Sequence, residues 1–102
     1  MEVHVFDNHV EKFLSSFDLP TRARIAKTVH LLELFGPHIG MPHSKSIGRG
    51  MFELRIRGRQ EIRMFYVFFH DDAVLLHGYK KQSQKIPVKE IRVAERNRKL
   101  LT

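Results

Sequence analysis

Residues 51–57, Met51-Phe52-Glu53-Leu54-Arg55-Ile56-Arg57, alternate strictly: Phe52, Leu54 and Ile56 fall on one side, Glu53, Arg55 and Arg57 on the other. That period of two predicts a β-strand with one face toward a core and one face charged. Gly58-Arg59 turns the chain, and Glu61-Ile62-Arg63-Met64-Phe65-Tyr66-Val67-Phe68-Phe69 follows, apolar on both sides as in a central strand. Asp71-Asp72 marks another turn, and residues 73–79 read as a third strand, so the second half of the chain is a three-stranded meander. Upstream, Val3 and Val5 suggest a short β opening. Asn8, with Glu11 three residues on, reads as the cap of a helix carrying Val10, Phe13, Leu14 and Phe17. Pro20 opens a second helix with a stripe of Ile25, Val29, Leu32 and Phe35, which Gly36-Pro37 ends. Residues 36–50, with four Gly and two Pro, read as a loop. Pro87 starts a last helix, 87–100, whose thin seam of Val88, Ile91 and Ala94 predicts weak packing or packing on a partner.

The expected order is therefore β-α-α-β-β-β-α. It describes an α+β fold in which an N-terminal strand and a helical hairpin cover one face of a small antiparallel sheet, the other face being open. At 102 residues the chain is expected to form a single domain, 1–102. The absence of cysteine excludes a disulfide framework, a thiolate nucleophile and Cys-based metal centres. No run approaches the roughly 18 apolar residues of a membrane span, and no secretory signal is visible. A cytoplasmic protein is expected.

The net charge of +7 is unevenly placed. Residues 1–40 carry −1, residues 41–70 carry +4 and residues 80–102 carry +6. A field of that kind attracts phosphate backbones or an acidic partner.

Lys45, then Gly50-Met51-Phe52-Glu53-Leu54-Arg55, then Ile62-Arg63-Met64-Phe65-Tyr66, then Leu75-Leu76-His77-Gly78-Tyr79-Lys80-Lys81-Gln82-Ser83-Gln84-Lys85-Ile86-Pro87 form an ordered set of motifs. In order and spacing this set resembles the HigB-like, phage-derived branch of the RelE/ParE toxin superfamily. The resemblance implies a RelE-like fold and a toxin of a type II toxin-antitoxin system. Its implied activity is a ribosome-dependent endonuclease on mRNA that inhibits translation and is restrained by a cognate helix-turn-helix antitoxin. Members cut RNA without metal or other cofactor, the 2′-hydroxyl attacking the adjacent phosphate. The ParE branch instead inhibits a protein target such as gyrase without catalysis, and it generally lacks the set of Arg63 with Lys80-Lys81.

Arg63 stands in an apolar strand, where an unpaired charge is costly. It reads either as a salt bridge to Glu53 or Glu61 or as a phosphate clamp. Its place before Phe65-Tyr66 matches the family's catalytic arginine, and an Arg63→Ala variant is expected to lose toxicity and stay folded. Lys80 and Lys81 read as a solvated strand end, or, by resemblance, as the family's functional basic pair. Arg55, Lys45, Tyr79 and Lys85 are candidate RNA contacts, as are Lys89, Arg92 and Arg96 on the last helix. The seven histidines show no HExxH-type signature, so no metal site is expected. His77 is the foremost candidate if a histidine acts.

Overall fold

The structure, a computed structural model, describes residues 1–101. Strand β1 (Val3–Val5) leads into helices α1 (Asn8–Ser15) and α2 (Leu19–Phe35). Then come β2 (Ser44–Gly48), β3 (Met51–Ile56), β4 (Ile62–Phe69), β5 (Asp72–Lys80) and helix α3 (Val88–Lys99). The fold is α+β, with a five-stranded sheet in the order β1-β5-β4-β3-β2.

The helix starts follow local chemistry. The Asp7 carboxylate accepts the Val10 amide at 3.0 Å and Asp18 accepts that of Thr21 at 3.0 Å, so the cap of α1 is Asp7 rather than the expected Asn8. Both side chains occupy donors that a first helical turn leaves free. Two hairpins close on residues with positive φ: Arg49 and Gly50 between β2 and β3, His70 and Asp71 between β4 and β5. Paired positive φ values match the twist of the flanking strands.

Several expectations change. Residues 44–48, read as loop, form edge strand β2, antiparallel to β3. β1 pairs with β5 in parallel, so the sheet is mixed. The second face of the sheet is not open: α3 packs there, with Ala94 fully buried and the Asn97 side chain donating to the Leu76 carbonyl at 2.9 Å. The seam of α3 is Ile91, Ala94 and Asn97, whereas Val88 is exposed, as is Phe35 on α2.

Two cores result. Leu54, Ile56, Ile62, Met64, Tyr66 and Leu75 meet Val10, Phe17, Ile25 and Leu32 of the helical hairpin. Met51, Phe65, Val67, Val74, Leu76 and Tyr79 form the opposite core beneath α3. In β5 the register shifts between the pairs Phe65↔His77 and Tyr66↔Leu75, leaving Leu76 as the extra residue of a bulge. Beyond the bulge Gly78 faces the hairpin so closely that a Cβ there would overlap Met64 Sδ and the Phe13 ring.

Gly78→Ala is therefore expected to destabilise by about 1–3 kcal/mol through overpacking. A thermal melt should show a fall of about 4–8 °C for each kcal/mol. An unchanged melting temperature would refute the close approach of α1.

Candidate functional site

The pairing of β3 with β4 sets Arg55 directly across from Arg63, on the α3 side of the sheet. Like charges directly opposite each other repel, so this placement requires a counterion. Glu53, two residues along β3 and therefore on the same face, supplies it. Arg55 Nε donates to Glu53 Oε1 at 3.2 Å, and Arg63 Nε stands 3.8 Å from the same oxygen. Tyr79 Oη donates to the other carboxylate oxygen at 3.3 Å. Arg63 also donates to Glu61 at 3.3 Å and to the Ile62 carbonyl at 3.2 Å.

Arg63 and Glu53 are each only 2% exposed. Arg63 thus satisfies the salt-bridge reading with both glutamates at once. The expectation that Arg63→Ala leaves the fold intact is revised accordingly, since breaking a buried pair commonly costs about 3–5 kcal/mol. Tyr79 is held protonated: burial first, and then the Glu53 charge and hydrogen bond, push its pKa up to about 12.

Over this floor opens a cleft of about 460 Å³, walled by Lys45 and Ile47 of β2, Glu53 and Arg55 of β3, Lys81 and Gln84 after β5, and Ile91 of α3. Lys45 reaches it because its register partner is Glu53. Lys81 reaches it by continuing β5 one rung, its amide donating to the Glu61 carbonyl at 2.8 Å. Arg55, Arg63, Lys45, Lys81 and Tyr79 therefore share one face. Lys80 does not join them: alternation turns it to the hairpin side, where its Nζ stands 5.5 Å from the centroid of the Phe17 ring. Lys85 is exposed in the segment before α3 and does not line the cleft, and Lys89, Arg92 and Arg96 are exposed along α3. His77 Nε2 lies 2.8 Å from Glu90 of α3, a strut between sheet and helix.

Sequence reasoning missed the wall that β2 provides and the clamp of α3 over the cleft. The only sequence signal for the latter was the polar Asn97 in line with Ile91 and Ala94. At the far edge of the sheet Glu2, His4 and Asp72 bring ligand atoms within 4.8 Å of one another. Their mutual hydrogen bonds account for that grouping.

The family model described as Phage derived protein Gp49-like matches residues 12–99, from α1 through the whole of α3. The chain belongs to this Gp49-like family. Gp49-like proteins are RelE/ParE-like toxins, so the toxin-superfamily resemblance of the motifs extends to the family of the whole fold. No curated protein matches the sequence. Among the described residues of this Gp49-like chain, no helix is long and apolar enough to cross a membrane.

The raised pKa of Tyr79 has a signed consequence. The unfolded chain releases the phenolic proton near the ordinary value of 10, and the folded chain holds it to about 12. The stabilisation is complete below pH 10 and is lost as pH rises through 12. Urea unfolding from pH 9 to pH 11 should show stability falling with pH, and Tyr79→Phe should flatten part of that slope; an equal slope in both proteins would refute it. Tyr66, whose pKa burial also raises, contributes in the same direction.

Proposed function

We propose that this Gp49-like protein is the toxin of a type II toxin-antitoxin system, of the HigB-like branch, and that it acts in the cytoplasm as a ribosome-dependent endonuclease on mRNA. The observation that carries this reading is the convergence of Lys45, Lys81 and Arg55 on one cleft above a buried arginine. Phosphate oxygens find two ammonium groups and a guanidinium there, over a fixed floor in which Arg63 is neutralised by Glu53 and Glu61. The reacting 2′-hydroxyl gives its proton to a water molecule, its oxygen bonds to phosphorus, and the bond to the 5′-oxygen breaks, that oxygen taking a proton from a lysine ammonium at the cleft. The products are a 2′,3′-cyclic phosphate and a 5′-hydroxyl. Lys45 and Lys81 are the proton-bearing groups open to the cleft, whereas Tyr79 stays a phenol and is no base at neutral pH. The chemistry needs no metal, and Glu53 is engaged by Arg55, Arg63 and Tyr79 rather than free to ligate one. With so few groups titrating near neutrality, the ribosome supplies much of the alignment. The partners are the ribosome with its mRNA and a cognate helix-turn-helix antitoxin, whose acidic surface would cover the same basic face.

One observation favours a second reading, a non-catalytic ParE-like inhibitor of a protein target such as gyrase. Arg63 is almost wholly enclosed and already paired with two glutamates, an arrangement that structure alone rewards.

The test is primer extension on mRNA from translating ribosomes incubated with purified protein. Wild type should cut within the ribosome-bound message, and a folded Lys45→Ala/Lys81→Ala variant should cut about 10²-fold more slowly, the scale of a missing proton-transfer group. Cutting should persist when manganese replaces magnesium on intact ribosomes. Undiminished cutting by the double variant would overturn the assignment of the cleft. Growth arrest without any cutting would favour the inhibitor.

A further inference from the structure

A second cleft lies on the hairpin side of the sheet, between α2 and the start of β2, with a volume of about 290 Å³. Arg24, Lys27 and Arg57 line it with His43, and Leu31 and Pro42 supply apolar lining. On α2 the residues Arg24, Lys27, Thr28 and Leu31 fall at helical spacing and form one face, distinct from the stripe of Ile25 and Leu32 that enters the core. Arg24 extends from this face across the turn after β3, where a Cβ on Gly58 would come within 2.9 Å of its Cδ.

No carboxylate lines this cleft. Among the described residues, Arg24, Lys27 and Arg57 lie within 4 Å of no acidic group. Arg24 bears on Asp18, whose carboxyl is held down chiefly by its hydrogen bonds from Thr21 and only to a lesser degree by Arg59 and Arg24. Elsewhere in the molecule the buried arginines are matched by glutamates. Here three cations in a concavity are left uncompensated, which is the electrostatic signature of an anion site.

We infer that this cleft holds the phosphate backbone of the same RNA strand that enters the cleft beneath α3, one nucleotide's base resting on Leu31 and Pro42. The inference rests on the endonuclease reading. Arg55 forms part of the wall of both clefts, so the end of β3 is the single ridge between them. A strand crossing that ridge keeps cationic contact on both sides. Unpaired bases and an apolar-floored basic groove suit single-stranded RNA, whose affinity combines stacking with counterion release. An acidic peptide would need the charge without the flat apolar seat.

The experiment measures fluorescence anisotropy of a single-stranded RNA of about twelve nucleotides, a length within the range such grooves occupy, against salt concentration. Wild type is compared with Arg24→Gln/Lys27→Gln/Arg57→Gln and with Lys27→Gln alone, each checked by thermal melting. If the triple variant is unfolded, the single exposed substitution decides. The slope of log affinity against log salt should fall by about 0.7 for each phosphate that the variant no longer neutralises, with a weaker Kd at every salt. Unchanged slope and affinity, or no RNA binding by wild type, would overturn the inference. So would retention of RNA binding together with loss of binding to a poly-glutamate peptide, which would assign the cleft to an acidic protein. Wild-type cutting on ribosomes is read in parallel. Cutting with unaltered RNA binding in the variants defeats only this second cleft, whereas absence of cutting defeats the endonuclease reading itself.

Discussion

Glu53 is the residue on which the rest of the candidate site depends. The β3–β4 register forces Arg55 and Arg63 opposite one another, and α3 with the 81–87 segment then shuts most water out. Two guanidiniums in that setting repel, and each taken from water without a partner costs several kcal/mol. A single carboxylate within reach of both resolves the conflict, and the Tyr79 hydroxyl occupies its remaining oxygen. Glu61 completes the balance at the other end of Arg63. Two cations and two anions make the set neutral, so it is a rigid floor more than a source of field. The attractive field of the cleft arises from Lys45 and Lys81, which stand at its margin.

That division separates two physical jobs. A buried, cross-linked guanidinium keeps one geometry and needs no reorganisation when charge develops above it. Marginal lysines are mobile point charges that adapt to an arriving phosphate. Arg55 sits between these limits, with its side chain 17% exposed and one bond to Glu53. A phosphate entering the cleft competes with Glu53 for this arginine first, and Arg63 feels the exchange only through the shared carboxylate.

Much of the framework was legible from residue order. The alternation around Leu54 placed Arg55 outward from the hairpin, and the apolar run around Phe65 marked β4, which is indeed the middle strand of five. β2 escaped because Ser44-Lys45-Ser46-Ile47-Gly48 has little apolar content and sits between glycines, as an edge strand can. Its strand state is fixed by pairing with β3 and by the contact of the Ser44 and Tyr66 hydroxyls, neither of them local. The docking of α3 escaped because a buried Asn97 reads as polar until its acceptor, the Leu76 carbonyl, is known. Lys80 and Lys81, read as one functional pair, in fact face opposite ways. What parity could not show was the bulge at Leu76, which resets every side chain beyond it.

The bulge also explains how one strand serves both halves of the molecule. Were Leu76 paired in regular alternation, His77 would turn toward the hairpin and Gly78 toward α3. The hairpin side has no room at that position for any side chain, since even a methyl group would strike Met64 and Phe13. The α3 side, in turn, would lose the His77–Glu90 strut and receive a glycine in its place. With Leu76 left unpaired in the bulge, Gly78 meets α1, Tyr79 reaches over Phe65 to Glu53, and Lys81 arrives beside Arg55. The tight packing of the hairpin and the assembly of the basic cleft are thus two results of one bulge.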